Sequence, residues 1–226
     1  MSGSRWLPWE RLDERSPIAD RIAADCARAI VERRRDIGDF ITEAELAEDA
    51  GASRTPAREA MLQLEKWSLV RLIPKKGAIV TAPTTAERRD MLDFRAMIEN
   101  DAVRSMATNG AVPKMTRDGM EDALRRQRAA ISGGDLLEFA SADYAFHAEI
   151  IRGGGNSVVT GILEMLAPRV ARFTYLAITE TPGRIPALLD EHIRLSEAAL
   201  AGDVDGYHEL IFDHIARGHS AITAVP

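Results

Sequence analysis

The sequence predicts a mainly α protein in two parts: an N-terminal winged helix-turn-helix, then an all-helical antiparallel bundle. Three observations carry that expectation. In residues 1–81 two helical stretches around a tight turn precede two short apolar strands joined by a basic turn. Beyond residue 85 the apolar spacing is helical throughout, interrupted at Gly- and Pro-containing points. Charge is also unevenly distributed: residues 1–81 carry 14 basic and 14 acidic side chains, so the whole net charge of -6 lies in the remainder.

The elements follow in order. From Ser16 to Arg35, Ile18, Ile22, Ala23, Cys26, Ala29 and Ile30 recur at spacings of three and four, with Pro17 suited to the first turn. Thr42 with Glu45 three residues on is a capping-box signature for a short helix that Gly51 can end. Ser53 is expected to cap the next helix, where Pro56 is tolerated in the first turn. One face of that helix holds Ala57, Ala60, Met61 and Leu64; another holds Arg54, Thr55 and Arg58. Leu69 to Ile73 reads as a strand, Pro74 to Gly77 as a turn, and Ala78 to Thr81 as the returning strand. These assignments give a winged helix-turn-helix over 1–81, a linker over 82–86 and a bundle over 87–226. Six bundle helices are expected near 85–108, 113–131, 135–151, 156–178, 184–201 and 203–221.

Composition narrows the class further. With 46% hydrophobic and 28% charged residues, the chain has the apolar content to bury real cores, which argues against disorder. Cys26 is the only cysteine, so an intrachain disulfide and a thiolate-based zinc site are both excluded, and a reducing, cytoplasmic setting is expected. No uncharged apolar run approaches the ~18 residues of a spanning helix, so the expectation is a protein neither exported nor embedded in a membrane.

A net negative charge argues against nucleic acid at first sight, because neutralising phosphates needs clustered Lys and Arg. The local balance reverses that. Residues 54–76 hold six basic groups against Glu59 and Glu65, whereas residues 36–50 hold six acidic groups and no basic one. The predicted second helix could enter a major groove with Arg54 and Arg58 reaching guanine edges and Ser53 and Thr55 meeting phosphates or bases. Lys75, Lys76 and Gly77 would bring two charges and an unhindered backbone to the wing tip. One such helix spans too few base pairs, so a homodimer on a pseudo-palindromic duplex is expected.

These residues carry a family resemblance. The runs Ala44-Glu45-Leu46-Ala47-Glu48, Ser53-Arg54-Thr55-Pro56-Ala57-Arg58-Glu59-Ala60, Leu64-Glu65, Leu69-Val70 and Lys76-Gly77-Ala78-Ile79-Val80 resemble the DNA-binding domain of GntR-family regulators. The resemblance implies DNA contacts at Ser53, Arg54, Thr55 and Arg58 and at the wing residues Lys76 and Gly77. Two positions depart from it: Ala44, where the family commonly has Arg, and Trp67, where Gly is usual.

In the bundle, polar residues occupy apolar stripes. Asp143 and His147 are four apart on a face shared with Ala140, Tyr144, Ile150 and Ile151; His192 falls with Leu188, Leu189, Leu195 and Ala199; His214 falls with Tyr207, Leu210, Ile211 and Ile215. Burying one carboxylate and three imidazoles without partners is costly, and one divalent cation would satisfy all four. Asp143, Phe146-His147, Gly155-Asn156, His192, Ala199-Leu200, Gly202-Asp203 and His214 further resemble the FCD ligand-binding domain of FadR-type GntR regulators. That resemblance implies metal ligation by Asp143, His147, His192 and His214, and an effector cavity near it. Imidazole donors favour zinc, with nickel or manganese as alternatives.

Arg95 and Glu99 are i and i+4, which by itself predicts an exposed ion pair. The resemblance instead turns Arg95 toward the effector, with Asn156 and Arg172 as further effector-binding candidates. A site of one divalent cation, three neutral imidazoles and one carboxylate is cationic, so a small organic acid is the expected effector. Two other readings use the same residues: a metal-dependent enzyme fused to a DNA-binding domain, and a constitutive DNA-binding protein with a structural metal. No further carboxylate is placed as a general base, so no catalytic residues are expected and a non-enzymatic regulator is preferred.

Overall fold

Capping and close backbone approach build the N-terminal elements. The computed structural model describes residues 5–219 and divides them into two compact units, residues 5–83 with 164–172 and residues 84–163 with 173–219. In the first unit a short α1 (Pro8–Arg11) precedes α2 (Ile18–Val31), β1 (Phe40–Ile41), α3 (Glu43–Asp49), α4 (Arg54–Lys66), β2 (Val70–Ile73) and β3 (Gly77–Val80). α2 stops at Val31, before the expected Arg35, because Arg33 turns into the left-handed region at φ 59°.

The capping box forms as the sequence indicates: Glu45 N–H donates to Thr42 Oγ1 at 3.1 Å and Thr42 N–H to Glu45 Oε2 at 2.8 Å. Ser53 corrects its expectation. It stands at the N-cap of α4 but makes no capping hydrogen bond, and the third helical residue is Pro56, which has no N–H to offer. Ile22, Ile30, Ile41, Leu46, Met61 and Leu64 are buried in the core that α2, α3 and α4 enclose. Trp67 packs into the same core, and Ser68 takes the positive φ, 57°, that the chain needs to leave α4.

The sheet has three strands in the order β1-β3-β2, antiparallel throughout, with Ile41 opposite Ala78 and Ile73 opposite Gly77. β1 was not expected. Two residues are too few to show an alternating pattern, and this strand exists through its pairing with β3. That pairing explains Gly77: a Cβ there would stand 2.3 Å from the Ile41 carbonyl oxygen, at a backbone φ of +134°. Pro74 and Lys75 occupy the centre of the wing turn, closed by Lys76 N–H on Ile73 O at 3.0 Å, with Lys75 held at φ 62°.

Six long helices follow: α5 (Thr85–Thr108), α6 (Lys114–Gly133), α7 (Leu136–Gly153), α8 (Ser157–Glu180), α9 (Ile185–Ala201), preceded by a 3-10 turn at Pro182–Arg184, and α10 (Val204–His219). Thr84 and Glu87 form a second capping box, so α5 takes in residues 85 and 86 of the expected linker. Asp135 and Asn156 cap α7 and α8, and Gly134 and Gly202 end α6 and α9 in the left-handed conformation. α7 is the central helix. From Phe139 to Ile151 every residue on it is buried, so polar groups there must be satisfied from neighbouring elements. α5 and α6 pack on it, with α9 on α6 and α10 on α5 and α9. Gly119 of α6 makes room for Glu149 of α7, whose carboxyl carbon would be 2.5 Å from any added Cβ.

Candidate functional site

α4 and the wing present the groups expected to meet DNA. Ser53, Arg54, Thr55, Arg58, Lys75 and Lys76 are all exposed, and Gly77 is half-buried. A groove of about 460 Å³ runs between them, with Arg54 and Arg58 on the α4 side and Pro74, Lys75, Lys76 and Gly77 on the wing side. Arg58 Nε lies 3.9 Å from Glu43 Oε1; an exposed pair at that distance restrains the guanidinium little. Ala44 also lines the groove, so the position where the family commonly has Arg is on this surface.

The second cluster is buried. Asp143 and His147 come from α7, His192 from α9 and His214 from α10, and none is more than 4% exposed. One potential ligand atom from each lies within 4.8 Å of the others. His147 Nε2 is 3.2 Å from His192 Nε2, which is 3.3 Å from Asp143 Oδ1. Ligand atoms around a zinc-sized cation stand roughly 3 to 4.3 Å apart, given bonds of about 2.0–2.1 Å.

Five residues behind this cluster decide what it can do. The Nδ1–H of His147 donates to Glu99 Oε2 at 2.9 Å, that of His192 to Gln127 Oε1 at 2.8 Å, and that of His214 to Glu191 Oε2 at 2.9 Å. Thr174 Oγ1 donates to Asp143 Oδ2 at 3.1 Å, and Tyr207 OH to Glu99 Oε2 at 2.6 Å. With every Nδ1 committed as a donor, each imidazole presents a bare Nε2 lone pair. Two such lone pairs 3.2 Å apart repel unless positive charge lies between them. The donor set therefore fits a divalent cation.

For two of the three imidazoles, electrostatics agree with that protonation state. Burial holds the His147 and His192 imidazoles well below their ordinary pKa, with the positive charge of neighbouring groups adding to it, so both are neutral. Burial raises the Asp143 carboxyl, against the charge of Arg95, and pushes Glu99 up to about 7. Burial also raises Glu191, but the His214 hydrogen bond and the charge of Arg184 outweigh it and the net shift is downward.

Of the three effector-binding candidates, the structure brings one to the cluster. Arg95 of α5 is buried, not exposed, with Nε 3.3 Å from Glu99 Oε1 and Nη1 3.9 Å from Asp143 Oδ2. Asn156 is exposed and occupied in capping α8, where its Oδ1 accepts from Val158 and Val159 N–H. Arg172 is buried with the first unit, its charged neighbours Asp36 and Arg33, and burial lowers it to about 10. Neither joins the cluster. His208 is exposed, as its position off the apolar stripe indicates.

Sequence reasoning missed Gln127, Thr174 and Glu191 and gave Glu99 no role beyond an ion pair with Arg95. Gln127 left a readable signal: it continues the stripe of Met120, Ala123, Leu124 and Ala130, where an apolar residue belongs. Glu191 left none, because a carboxylate beside a histidine is common on solvated helices.

Comparison with known proteins supplies the family. Residues 18–80 match the bacterial regulatory proteins of the gntR family, and residues 90–217 match the FCD domain. An HTH-type transcriptional regulator from the TAR-I ttuE-ttuC' intergenic region of Agrobacterium vitis is 34% identical over 48% of this chain, and the match spans 64% of that protein's length. The gluconate operon transcriptional repressor of Bacillus licheniformis is 26% identical over 91% of this chain and 85% of its own. Among solved structures, E. coli McbR/YncC superposes with a TM-score of 0.75 at 18% identity, covering 91% of this chain and 96% of that one, which is a likeness of fold. Among the described residues no helix is long and apolar enough to cross a membrane. The chain belongs to the gntR family of bacterial transcriptional regulators and carries that family's DNA-binding domain together with an FCD domain.

Proposed function

We propose that the protein is a transcriptional repressor whose hold on a pseudo-palindromic operator is set by a small carboxylate bound beside a divalent metal ion. It acts as a homodimer, each copy offering one α4 and one wing to a half-site. Ser53, Arg54, Thr55 and Arg58 read the major groove, while Lys75, Lys76 and the backbone at Gly77 hold the phosphates. The side chains assigned to reading and to holding are exposed on separate elements, α4 and the wing.

The observation that carries the sensor half of the reading is the convergence of three imidazoles and one carboxylate in a buried site. His147, His192, His214 and Asp143 would hold the metal, zinc foremost, with nickel or manganese as alternatives. When bound, the metal would supply a positive charge that attracts an anion's oxygens. Arg95 adds a planar fork suited to carboxylate. Asn156 and Arg172, placed elsewhere, are left out. The gluconate operon repressor of Bacillus licheniformis is named for a sugar acid, and a hydroxylated carboxylate fits the same chemistry.

Elemental analysis of gently purified protein, followed by gel shifts with a labelled operator fragment in the presence of gluconate or citrate, tests both halves. About one divalent ion per chain and a carboxylate-dependent loss of the shifted band are expected. A protein that neither carries nor takes up zinc, nickel or manganese refutes the sensor half. Operator affinity that ignores every acid tried in the metal-loaded protein makes the metal structural and the regulator constitutive.

A further inference from the structure

We propose that Glu99 is a positioning residue through which Arg95 and the metal centre sense one another, so that an anion at Arg95 and a cation at the histidines bind cooperatively. The inference rests on the metal-and-carboxylate reading above and adds a route of regulation to that site.

Its basis is the division of labour between the two oxygens of one carboxylate. Glu99 is fully buried. Its Oε2 accepts both the His147 Nδ1–H, at 2.9 Å, and the Tyr207 hydroxyl, at 2.6 Å. Its Oε1 has no hydrogen-bond partner and faces Arg95 Nε at 3.3 Å, and that Nε has no hydrogen-bond partner either. The pair is held by charge, without hydrogen-bond geometry. Arg95 therefore keeps a donor uncommitted while its other end, Nη1, reaches to 3.9 Å from the metal ligand Asp143.

The other two imidazoles lack this arrangement. Gln127, behind His192, is neutral and is steadied by the Ala142 carbonyl, which accepts from its Nε2 at 3.4 Å. Glu191, behind His214, receives Arg184 Nη2 in a hydrogen bond of 3.1 Å, from a side chain 31% exposed and so partly screened by water. Glu99 alone among the three acceptors is shared between a metal ligand and a buried arginine.

The consequence follows from Coulomb's law in a poorly screened site. Arg95 draws the negative charge of Glu99 away from the His147 Nδ1–H. An anion arriving at Arg95 weakens that pull, Glu99 polarises the imidazole more strongly, and His147 Nε2 becomes a better donor to the cation. By linkage, the cation raises the affinity for the anion by the same factor.

The metal alone suffices as probe. Zinc is titrated against a competing chelator into chelator-stripped full-length protein: wild type, Glu99→Gln, Arg95→Gln and the double variant, with Glu191→Gln as a matched background. Glu99→Gln and Glu191→Gln are each expected to weaken zinc binding about 10- to 100-fold. Arg95→Gln should tighten it by a similar factor in wild type and in Glu191→Gln, and by much less in Glu99→Gln. An Arg95→Gln effect of equal size in all three backgrounds, or no loss on Glu99→Gln, overturns the inference. Should Arg95→Gln fail to fold, Arg95→Met keeps the apolar stem and completes the same cycle. Imidazole 15N shifts of the zinc-free wild type give an independent readout: His147 protonated at Nδ1 is expected, and protonation at Nε2 defeats the proposal. A wild type that takes up no zinc, nickel or manganese defeats the metal reading itself, whereas normal uptake with a background-independent Arg95 effect defeats only the coupling.

Discussion

The α4 face and the histidine cluster use the same kinds of side chain under opposite conditions. On α4, Arg54 and Arg58 are exposed. In the bundle, Arg95 is 6% exposed and stands between two carboxylates. A water-exposed cation is solvated and keeps its reach toward an incoming phosphate; a buried one must be answered by the protein or by a ligand. The difference teaches that surface function is written in local charge, whereas core function is written in polar residues placed where periodicity demands apolar ones.

That contrast can be broken most severely at the buried end. His192→Ala removes an imidazole that is fully buried and stands 3.2 Å from His147 Nε2 and 3.3 Å from Asp143 Oδ1. Metal content measured by elemental analysis after dialysis against a chelator is expected to fall well below one ion per chain, since one of four ligands is lost and a cavity is left in its place. Normal metal content in this variant would mean that the cluster is not the site.

Cys26 sharpens the same contrast within the first unit. Burial pushes its thiol up to about 11. A raised pKa keeps the thiol neutral at pH values below it, so at pH 8 only about one molecule in a thousand is thiolate, against roughly a quarter for a free cysteine at ~8.5. Labelling of the native protein by a thiol reagent is expected to be slower than that of the denatured chain by about 250-fold at pH 8, the ratio of the two thiolate fractions. The rate should climb as the pH passes 10; rapid labelling at pH 8 would show the thiol to be open.

At the exposed end, Arg54→Ala and Arg58→Ala should each weaken operator binding by about 1–3 kcal/mol. Their melting temperatures should stay close to wild type, because neither side chain contributes to the core. Lys76→Ala should weaken binding to all sequences alike and reduce the salt slope by about one. Gel shifts at two salt concentrations separate these outcomes, and a sequence-independent loss on Arg58→Ala would move it from base reading to phosphate holding.

The smallest effect is expected at a cap. Thr42→Ala removes the Oγ1 that accepts Glu45 N–H at 3.1 Å, at a cost of about 1 kcal/mol in denaturant unfolding. Ser53→Ala should cost less, since Ser53 makes no such bond, and its effect should appear in DNA binding. Equal destabilisation by the two substitutions would overturn this distinction.

What the sequence determined by itself was whatever depends on neighbours along the chain. The six bundle helices were legible because Gly- and Pro-containing points interrupt a helical spacing; that Thr84, Asp135 and Asn156 cap three of them was found in the structure. Asp143, His147, His192 and His214 were legible as polar residues on apolar stripes, and the basic 54–76 segment as a charge imbalance. Tertiary structure decided what depends on partners distant in sequence. β1 exists because β3 pairs with it, and Gly77 is needed because the Ile41 carbonyl approaches. Glu99 looked like half of a surface ion pair until packing placed His147, 48 residues away, and Tyr207, 108 residues away, on its other oxygen. Local spacing says which face a side chain shares; only the packing of helices says whether that face meets water or another charge, and the cost of burial makes the second question decide the chemistry.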